Sequence, residues 1–162
     1  MEQVRLGIIG AGFMGGIHAR IAAELAGTDV IAVADIDEAR AISVAANYGG
    51  QPYRDYQEML ARERLDAVII TTPETDHREP AVEAAEAGCH IFMEKPLAAT
   101  LEDADAILQA CQKAGVRLMT GYILRFEACY AKIHQAVAQG EIGTFLSGYA
   151  RRNATLQEGR RL

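Results

Sequence analysis

The sequence predicts an α/β fold in which helices cover both faces of a parallel sheet. From Val4 onward, short runs rich in β-branched residues alternate with longer segments of helical period, which is the pattern of repeated strand-helix-strand units. Most of the predicted strands are apolar throughout, as expected of strands that are buried on both faces. A glycine-rich turn follows the first strand and opens the first helix. Together these observations favour a doubly wound parallel sheet.

The elements of this first region follow from the apolar runs and the helical periods between them. Thr100, followed three residues later by Asp103, resembles a capping arrangement for the fifth helix. The predicted strands are residues 5–10, 29–35, 66–71, 89–94 and 116–121, and the predicted helices are residues 13–26, 36–48, 56–62, 76–87 and 101–114.

The sequence changes character after residue 121. Residues 125–139 have the period of an amphipathic helix, residues 140–143 favour a turn, and residues 144–152 alternate loosely like a strand. Because one strand cannot form a sheet, we interpret residues 122–162 as a linker helix and the first strand of an incomplete second domain, after a first domain at residues 1–121. We expect residues 144–152 to be disordered or to pair with another chain in a homo-oligomer, since an unpaired strand exposes backbone donors and acceptors.

The composition excludes several classes of protein. A formal net charge of -6 and a pI near 5.2 offer no basic face for nucleic acid. Charged residues and glycines interrupt every apolar run before it reaches the ~20 residues that cross a bilayer, and no secretory signal is recognisable, so we expect a cytoplasmic protein with no membrane partner. Cys89, Cys111 and Cys129 lack the spacing of metal ligands and are interpreted as reduced core thiols.

Gly10, Gly12 and Gly15 form the pattern G-x-G-x-x-G between the first strand and the first helix. The first glycine permits a tight turn, the second lets backbone amides approach a pyrophosphate, and the third lets the helix pack closely on the strand. The phosphates then meet amide donors and the positive end of the helix dipole. Residues 10–15, which include Phe13 and Met14, are therefore the predicted dinucleotide-binding loop of a Rossmann-type fold.

Asp35 ends the second predicted strand, about 20 residues after the third glycine, where dinucleotide-binding folds place an acid. Its carboxylate can accept hydrogen bonds from the hydroxyls of the adenosine ribose and would repel a 2′-phosphate, so we expect NAD rather than NADP. The plainer alternative is a turn residue at the strand end. Asp37 begins the next helix and is interpreted as its N-cap.

Ligands of a parallel sheet bind beyond the carboxyl ends of its strands, so the loops at these ends are candidate sites. The Lys95 ammonium could polarise a substrate hydroxyl or carbonyl as hydride moves to or from a nicotinamide. A surface ion pair between Lys95 and Glu94 is the alternative. His77 is interpreted as a helix-start or loop residue, and His18 as a residue that packs or hydrogen-bonds near the glycine loop. The candidate loop residues are Thr71, Thr72, Pro73, His77, Glu94 and Lys95.

These motifs together resemble the N-terminal half of the glucose-fructose oxidoreductase, inositol dehydrogenase and rhizopine-catabolism family, Gfo/Idh/MocA. The resemblance covers nearly the whole chain and rests on the glycine loop with His18, on Ala-Val-Ala-Asp ending at Asp35, on Thr-Thr-Pro with His77, and above all on Glu94-Lys95-Pro96. It implies an NAD-dependent oxidoreductase that transfers hydride to or from a sugar, an inositol or a related polyol. It also implies that Lys95 is the catalytic residue beside the nicotinamide, and that Thr72, Pro73, His77 and Glu94 line the cofactor cleft.

Members of this family continue into a second α/β domain, and residues 140–143 resemble the passage into it. The sequence ends at Leu162, so the resemblance implies a cofactor-binding half that binds NAD and turns over substrate poorly by itself. Two alternatives stay open at this point. A non-catalytic NAD(P)-binding or sensor module would have the same loop. A methyltransferase that uses S-adenosylmethionine also has a glycine loop and an acid after the second strand, although Gly15 and the loop at Lys95 argue against it.

Overall fold

One parallel sheet carries all the loops in which the sequence places a site. The computed structural model describes residues 3–151. Its strands pair in the order β3-β2-β1-β4-β5-β6, and every pair is parallel. The strands are β1 (Val4–Ile9), β2 (Thr28–Ala34), β3 (Gln51–Tyr53), β4 (Ala67–Ile70), β5 (His90–Met93) and β6 (Leu118–Thr120).

Helices follow the strands and return the chain to the end of the sheet at which the strands begin. The helices are α1 (Phe13–Glu24), α2 (Glu38–Tyr48), α3 (Tyr56–Arg62), α4 (Arg78–Glu86), α5 (Leu101–Ala114) and α6 (Ala128–Ala138), with short 3-10 helices at Glu74–Asp76 and Ile123–Phe126. From β1 the chain builds outward to β3 and then crosses back to β4, so the strand order reverses between β1 and β4. This reversal opens a crevice at the carboxyl ends of the strands.

The core lies on both faces of the sheet, as the apolar strands predict. Ile8 packs on one face with Ala19 and Val44, which belong to α1 and α2. Ile9 packs on the other face with Met59 and Ile107 and with residues of α4. Successive side chains of a strand point to opposite faces, so both faces must be covered for two adjacent isoleucines to be buried. The predicted doubly wound fold is therefore confirmed.

The predicted strands and helices of the first region all form, with small shifts at their ends. Thr100 caps α5, since its hydroxyl accepts the backbone N–H of Asp103 at 3.1 Å. The hydrogen bond from the Thr100 hydroxyl and the nearby Arg78 guanidinium lower the pKa of the Asp103 carboxyl. Strand β3 is not among the predicted strands; it has three residues, contains Pro52 and pairs only with β2 at the sheet edge. A proline cannot donate to a ladder, so strands that contain it lie at edges and show no strong pattern.

Contacts divide the chain into two units, Met1–Tyr122 and Ile123–Leu162. In the second unit α6 confirms the predicted helix, and a bond from the Gly143 N–H to the Gly140 carbonyl, at 3.0 Å, closes the predicted turn. The predicted strand at residues 144–152 is wrong over residues 144–151, while residue 152 lies outside the described part of the chain. A strand needs a neighbour to pair with, and residues 123–151 supply none.

The cysteines differ from one another in their environment. Cys89 and Cys111 are buried, and burial raises the pKa of both thiols. Cys129 is exposed, so its interpretation as a core thiol is wrong. Its place on α6, of which no residue is buried, explains the difference. Within residues 3–151, no helix is both long enough and apolar enough to span a membrane.

Candidate functional site

The glycine loop turns between β1 and α1 at the reversal of the strand order. Gly10 has a φ of 96°, and a Cβ at this position would lie 2.9 Å from the carbonyl carbon of Thr71. A Cβ at Gly15 would overlap the carbonyl oxygen of Gly10, so only glycine allows α1 to approach the loop this closely. Thr71 holds the same carbonyl from β4, because its hydroxyl donates to the Gly10 oxygen at 2.6 Å.

The first turn of α1 presents its amide groups at the mouth of the crevice. Gly12 is the N-cap, and no side chain of residues 3–151 caps this helix, whereas Asp37, Asp55 and Thr100 cap α2, α3 and α5. Apart from Gly12 and its two chain neighbours, no heavy atom of the described chain would lie within 4 Å of a Cβ built on Gly12, so the space in front of it is open. Amide donors at the positive end of a helix dipole, facing open space, suit an anion such as a pyrophosphate.

Phe13 and Met14 begin α1 beside this open space. The Phe13 side chain is exposed to 78% of its full surface, and Met14 is half-buried. This large aromatic side chain at the start of α1 is not part of the core. It is therefore available to cover a ligand.

Asp35 is bound to the glycine loop itself. Its Oδ2 accepts the backbone N–H of Ala11 at 2.6 Å, and its Oδ1 accepts the N–H of Asp37 at 2.8 Å. The backbone N–H of Asp35 donates to the carbonyl of Tyr53 on β3 at 3.1 Å. A carboxylate has about four acceptor sites, so two remain for hydroxyl donors. Asp37 caps α2 through the N–H of Ala39, which confirms its predicted role.

The loop after β4 is held from inside the protein. Thr72 is half-buried and its hydroxyl donates to the carbonyl of Asp76 at 3.2 Å, while Pro73 is exposed. His77 precedes α4, as its interpretation as a helix-start residue predicts. Its ring is 1% exposed, with Nδ1 3.2 Å from the carbonyl of Leu97 and Nε2 2.9 Å from that of Thr72. His77 thus supports the loops after β4 and β5 from beneath and offers no surface to a ligand.

The loop after β5 separates a buried carboxylate from an exposed ammonium. Glu94 is 7% exposed, and its Oε1 lies 2.9 Å from the Nε2 of His18 on α1. Its Oε2 accepts the backbone N–H of Lys95 at 3.1 Å. Lys95 is exposed, and its side chain forms no ion pair with any residue from 3 to 151. The alternative of a surface pair between Lys95 and Glu94 is therefore wrong. His18 packs and hydrogen-bonds, but its partners, Phe92 and Glu94, lie at the end of β5 and not in the glycine loop.

The register of the sheet brings the candidate residues to the same end of the sheet, where the strands have their carboxyl ends. Ile9 pairs with Ala34 and Ile70, and Ile70 pairs with Met93, so the four strands end level with one another. Each of the candidate residues Gly10, Asp35, Thr71 and Glu94 directly follows one of these strand ends. All four of these residues are predicted from the sequence, but the hydrogen bond from the Ala11 N–H to Asp35 is not. No sequence signal reports that bond, because it depends on how the turn folds back over β2.

The family comparison agrees with this geometry. Residues 4–122 match the family described as an oxidoreductase family with an NAD-binding Rossmann fold. The chain belongs to the Gfo/Idh/MocA oxidoreductases. The predicted fold and the predicted NAD cofactor are thereby confirmed, and the methyltransferase alternative is wrong. The roles of individual site residues, homo-oligomerisation and a cytoplasmic location stay predictions.

The relatives of this Gfo/Idh/MocA chain include both dehydrogenases and a hydratase. Inositol 2-dehydrogenase 3 of Saccharopolyspora erythraea is 37% identical over 158 residues, which are 96% of this chain and 47% of the relative. The 2,7-anhydro-N-acetylneuraminate hydratase of Mediterraneibacter gnavus is 32% identical over 153 residues, 94% of this chain and 40% of the relative. The crystal structure of scyllo-inositol dehydrogenase from Lactobacillus casei with bound NAD(H) and scyllo-inositol matches with a TM-score of 0.82 and 28% identity, covering 88% of this chain and 43% of that one. The chain spans less than half the length of these relatives.

The glycine contacts predict opposite effects for two neighbouring substitutions. Gly15→Ala forces α1 away from the Gly10 carbonyl, and we expect it to lower the free energy of unfolding by about 1–3 kcal/mol. Gly16→Ala adds a Cβ that meets no described atom within 4 Å beyond its chain neighbours and its own helix backbone, and we expect it to raise that free energy by about 0.5–1 kcal/mol. Urea denaturation followed by circular dichroism measures both. Similar effects of the two substitutions would contradict the close approach at Gly15.

Proposed function

We propose that this chain is the NAD-binding half of an oxidoreductase that moves hydride between NAD and a hydroxyl-bearing carbon of an inositol, a sugar or a related polyol. The observation that carries the proposal is the uncapped first turn of α1, which faces open space at Gly12 beside the carboxylate of Asp35. The names of two relatives, an inositol 2-dehydrogenase and a scyllo-inositol dehydrogenase, support this class of substrate.

The residues of the crevice fit a dinucleotide from one end to the other. The amides of the first turn of α1 would hold the pyrophosphate, and Asp35 would accept the ribose hydroxyls of the adenosine half on the β2 side. The other half then extends to the opposite side of β1, where β4 and β5 end. Thr72, Pro73 and Lys95 lie in the loops on that side.

Lys95 is the residue that we assign to the reacting substrate oxygen. Bound NAD supplies the acceptor or donor of the hydride. The Lys95 ammonium would donate a hydrogen bond to the substrate oxygen and stabilise its negative charge as hydride leaves the alkoxide for NAD or reaches the carbonyl from NADH. The hydroxyl proton would be given up to solvent on oxidation and taken from solvent on reduction. Its freedom from any ion pair among the described residues leaves all its donors for this task.

The open space at Gly12 provides a direct test of the binding site. Gly12→Ala places a methyl group where the pyrophosphate would lie, and Gly12 has an ordinary φ of -71°, so we expect the fold to be retained. NADH affinity, measured by isothermal titration calorimetry, is expected to fall at least about tenfold, since the close backbone approach is lost. Gly16→Ala is the control and is expected to bind as the parent does. Unchanged affinity in Gly12→Ala would remove the observation on which the proposed function rests.

Asp35 predicts the choice between NAD and NADP. We expect the parent to bind NAD more tightly than NADP, and Asp35→Ala to reduce this preference by about tenfold or more, because a carboxylate repels the 2′-phosphate. The ratio of the two affinities is the informative quantity, since the substitution also removes the bond to the Ala11 amide and weakens both cofactors. Asp37→Ala, which removes a nearby carboxylate from the α2 cap, is expected to leave the ratio unchanged. Equal affinities in the parent would contradict this role of Asp35.

Replacing Lys95 is expected to reduce turnover without weakening cofactor binding. Lys95→Met keeps the length of the side chain, and we expect NADH formation from scyllo-inositol to slow by about 10²–10³-fold. NADH affinity is expected to change little, because the pyrophosphate and adenosine groups are held elsewhere. Lys113→Met, on the exposed last turn of α5, is the control. Turnover by Lys95→Met at the rate of the parent chain would contradict this role of Lys95.

A further inference from the structure

A shielded hydrogen bond joins the glycine-loop helix to the loop that carries Lys95. His18 lies in α1, and its Nε2 donates to the Glu94 carboxylate, 2.9 Å from Oε1. Glu94 follows β5, which β4 separates from β1 in the sheet. The side chains of His18 and Glu94 are only 17% and 10% exposed, so solvent screens this bond far less than it screens a surface pair.

The same carboxylate continues the connection to Lys95. Its second oxygen, Oε2, accepts the backbone N–H of Lys95 at 3.1 Å. The backbone N–H of Glu94 donates to the carbonyl of Ile70 at 2.9 Å and so fixes the residue to the sheet. The Glu94 side chain therefore links α1 to the backbone N–H of Lys95.

Packing fixes the orientation of the His18 ring. The ring lies edge-on against Phe92 of β5, with ring centroids 5.2 Å apart and an angle of 63° between the planes. Burying a carboxylate is costly unless donors satisfy it, and His18 is the side-chain donor to Glu94 among residues 3–151. Without this donor the Glu94 carboxylate would no longer be held in place, and neither would the Lys95 peptide that is bonded to it.

We propose that His18 is a positioning residue that acts through Glu94 to hold the Lys95 loop in the conformation that receives the nicotinamide half of the cofactor. The inference rests on the proposed function, because it requires NAD to extend from the glycine loop to Lys95. A loop that is already ordered needs no further ordering when the cofactor binds, so the connection increases affinity for that half alone. The adenosine half is held by the glycine loop and Asp35, which His18 does not contact.

Two ligands and two substitutions separate this role from a general loss of stability. ADP-ribose lacks the nicotinamide, whereas NADH contains it. We expect His18→Phe, which keeps an aromatic ring against Phe92 but lacks a donor, to weaken NADH about tenfold and ADP-ribose less than about threefold. His18→Gln keeps an amide donor and is expected to restore NADH affinity to within about threefold of the parent. Calorimetric titration gives both affinities, and circular dichroism checks that each variant is folded.

A double-mutant cycle shows whether His18 acts through Glu94. Glu94→Gln replaces one carboxylate oxygen with an NH2 donor, so either the position facing His18 or the position facing the Lys95 amide loses its acceptor. If the inference is correct, His18→Phe combined with Glu94→Gln loses no more NADH affinity than the larger single loss. Losses of NADH affinity that multiply would overturn it, as would equal losses of NADH and ADP-ribose affinity in His18→Phe, or no loss of NADH affinity.

If His18→Phe does not fold, Glu94→Gln alone must show the NADH-selective loss of affinity, or the inference is wrong. Failure of the parent to bind either ligand would overturn the proposed function, and this inference with it.

Discussion

The approach of α1 to the carbonyl of Gly10 is the constraint on which the rest of the site depends. Since a Cβ at Gly15 would overlap that carbonyl, the helix reaches its position only with glycine there. The Thr71 hydroxyl bonds to the same oxygen and ties the turn to β4. This arrangement aims the first turn of α1 at the crevice, allows the Ala11 amide to reach Asp35, and brings His18 within hydrogen-bond distance of Glu94. A helix displaced outward would lose the bond from His18 to Glu94, and its first turn would no longer point into the crevice.

Much of this fold can be predicted from the sequence because several local signals agree. The apolar runs of β1 and β4 and the caps at Asp37 and Thr100 each depend on neighbouring residues only. The position of Asp35 follows from the glycine spacing. The edge strand β3 escapes prediction because a three-residue strand containing Pro52 has no period to detect. At residues 144–151 a strand was predicted that does not form: the loose alternation indicated a strand, but no strand among residues 123–151 is there to pair with it.

The parts of the site that the sequence could not predict are contacts between distant loops. The bond from His18 to Glu94 joins residues 76 positions apart and depends on the packing that sets His18 of α1 against Phe92 of β5. His77 illustrates the same limit. The resemblance to a family places it in the cofactor cleft, but its ring is buried between two backbone carbonyls. A residue type at a motif position indicates that the position matters, whereas only packing shows which atoms it touches.

The arrangement at the end of β5 resolves an apparent conflict in the sequence. A glutamate next to a lysine suggests an ion pair, and such a pair would occupy the ammonium that the proposed chemistry needs. The structure instead buries the Glu94 carboxylate and satisfies it with His18 and the Lys95 backbone amide. The ammonium of Lys95 is exposed, while its backbone N–H is held by the Glu94 carboxylate. The carboxylate thus fixes where the lysine starts without reducing the charge that the lysine can offer to a substrate oxygen.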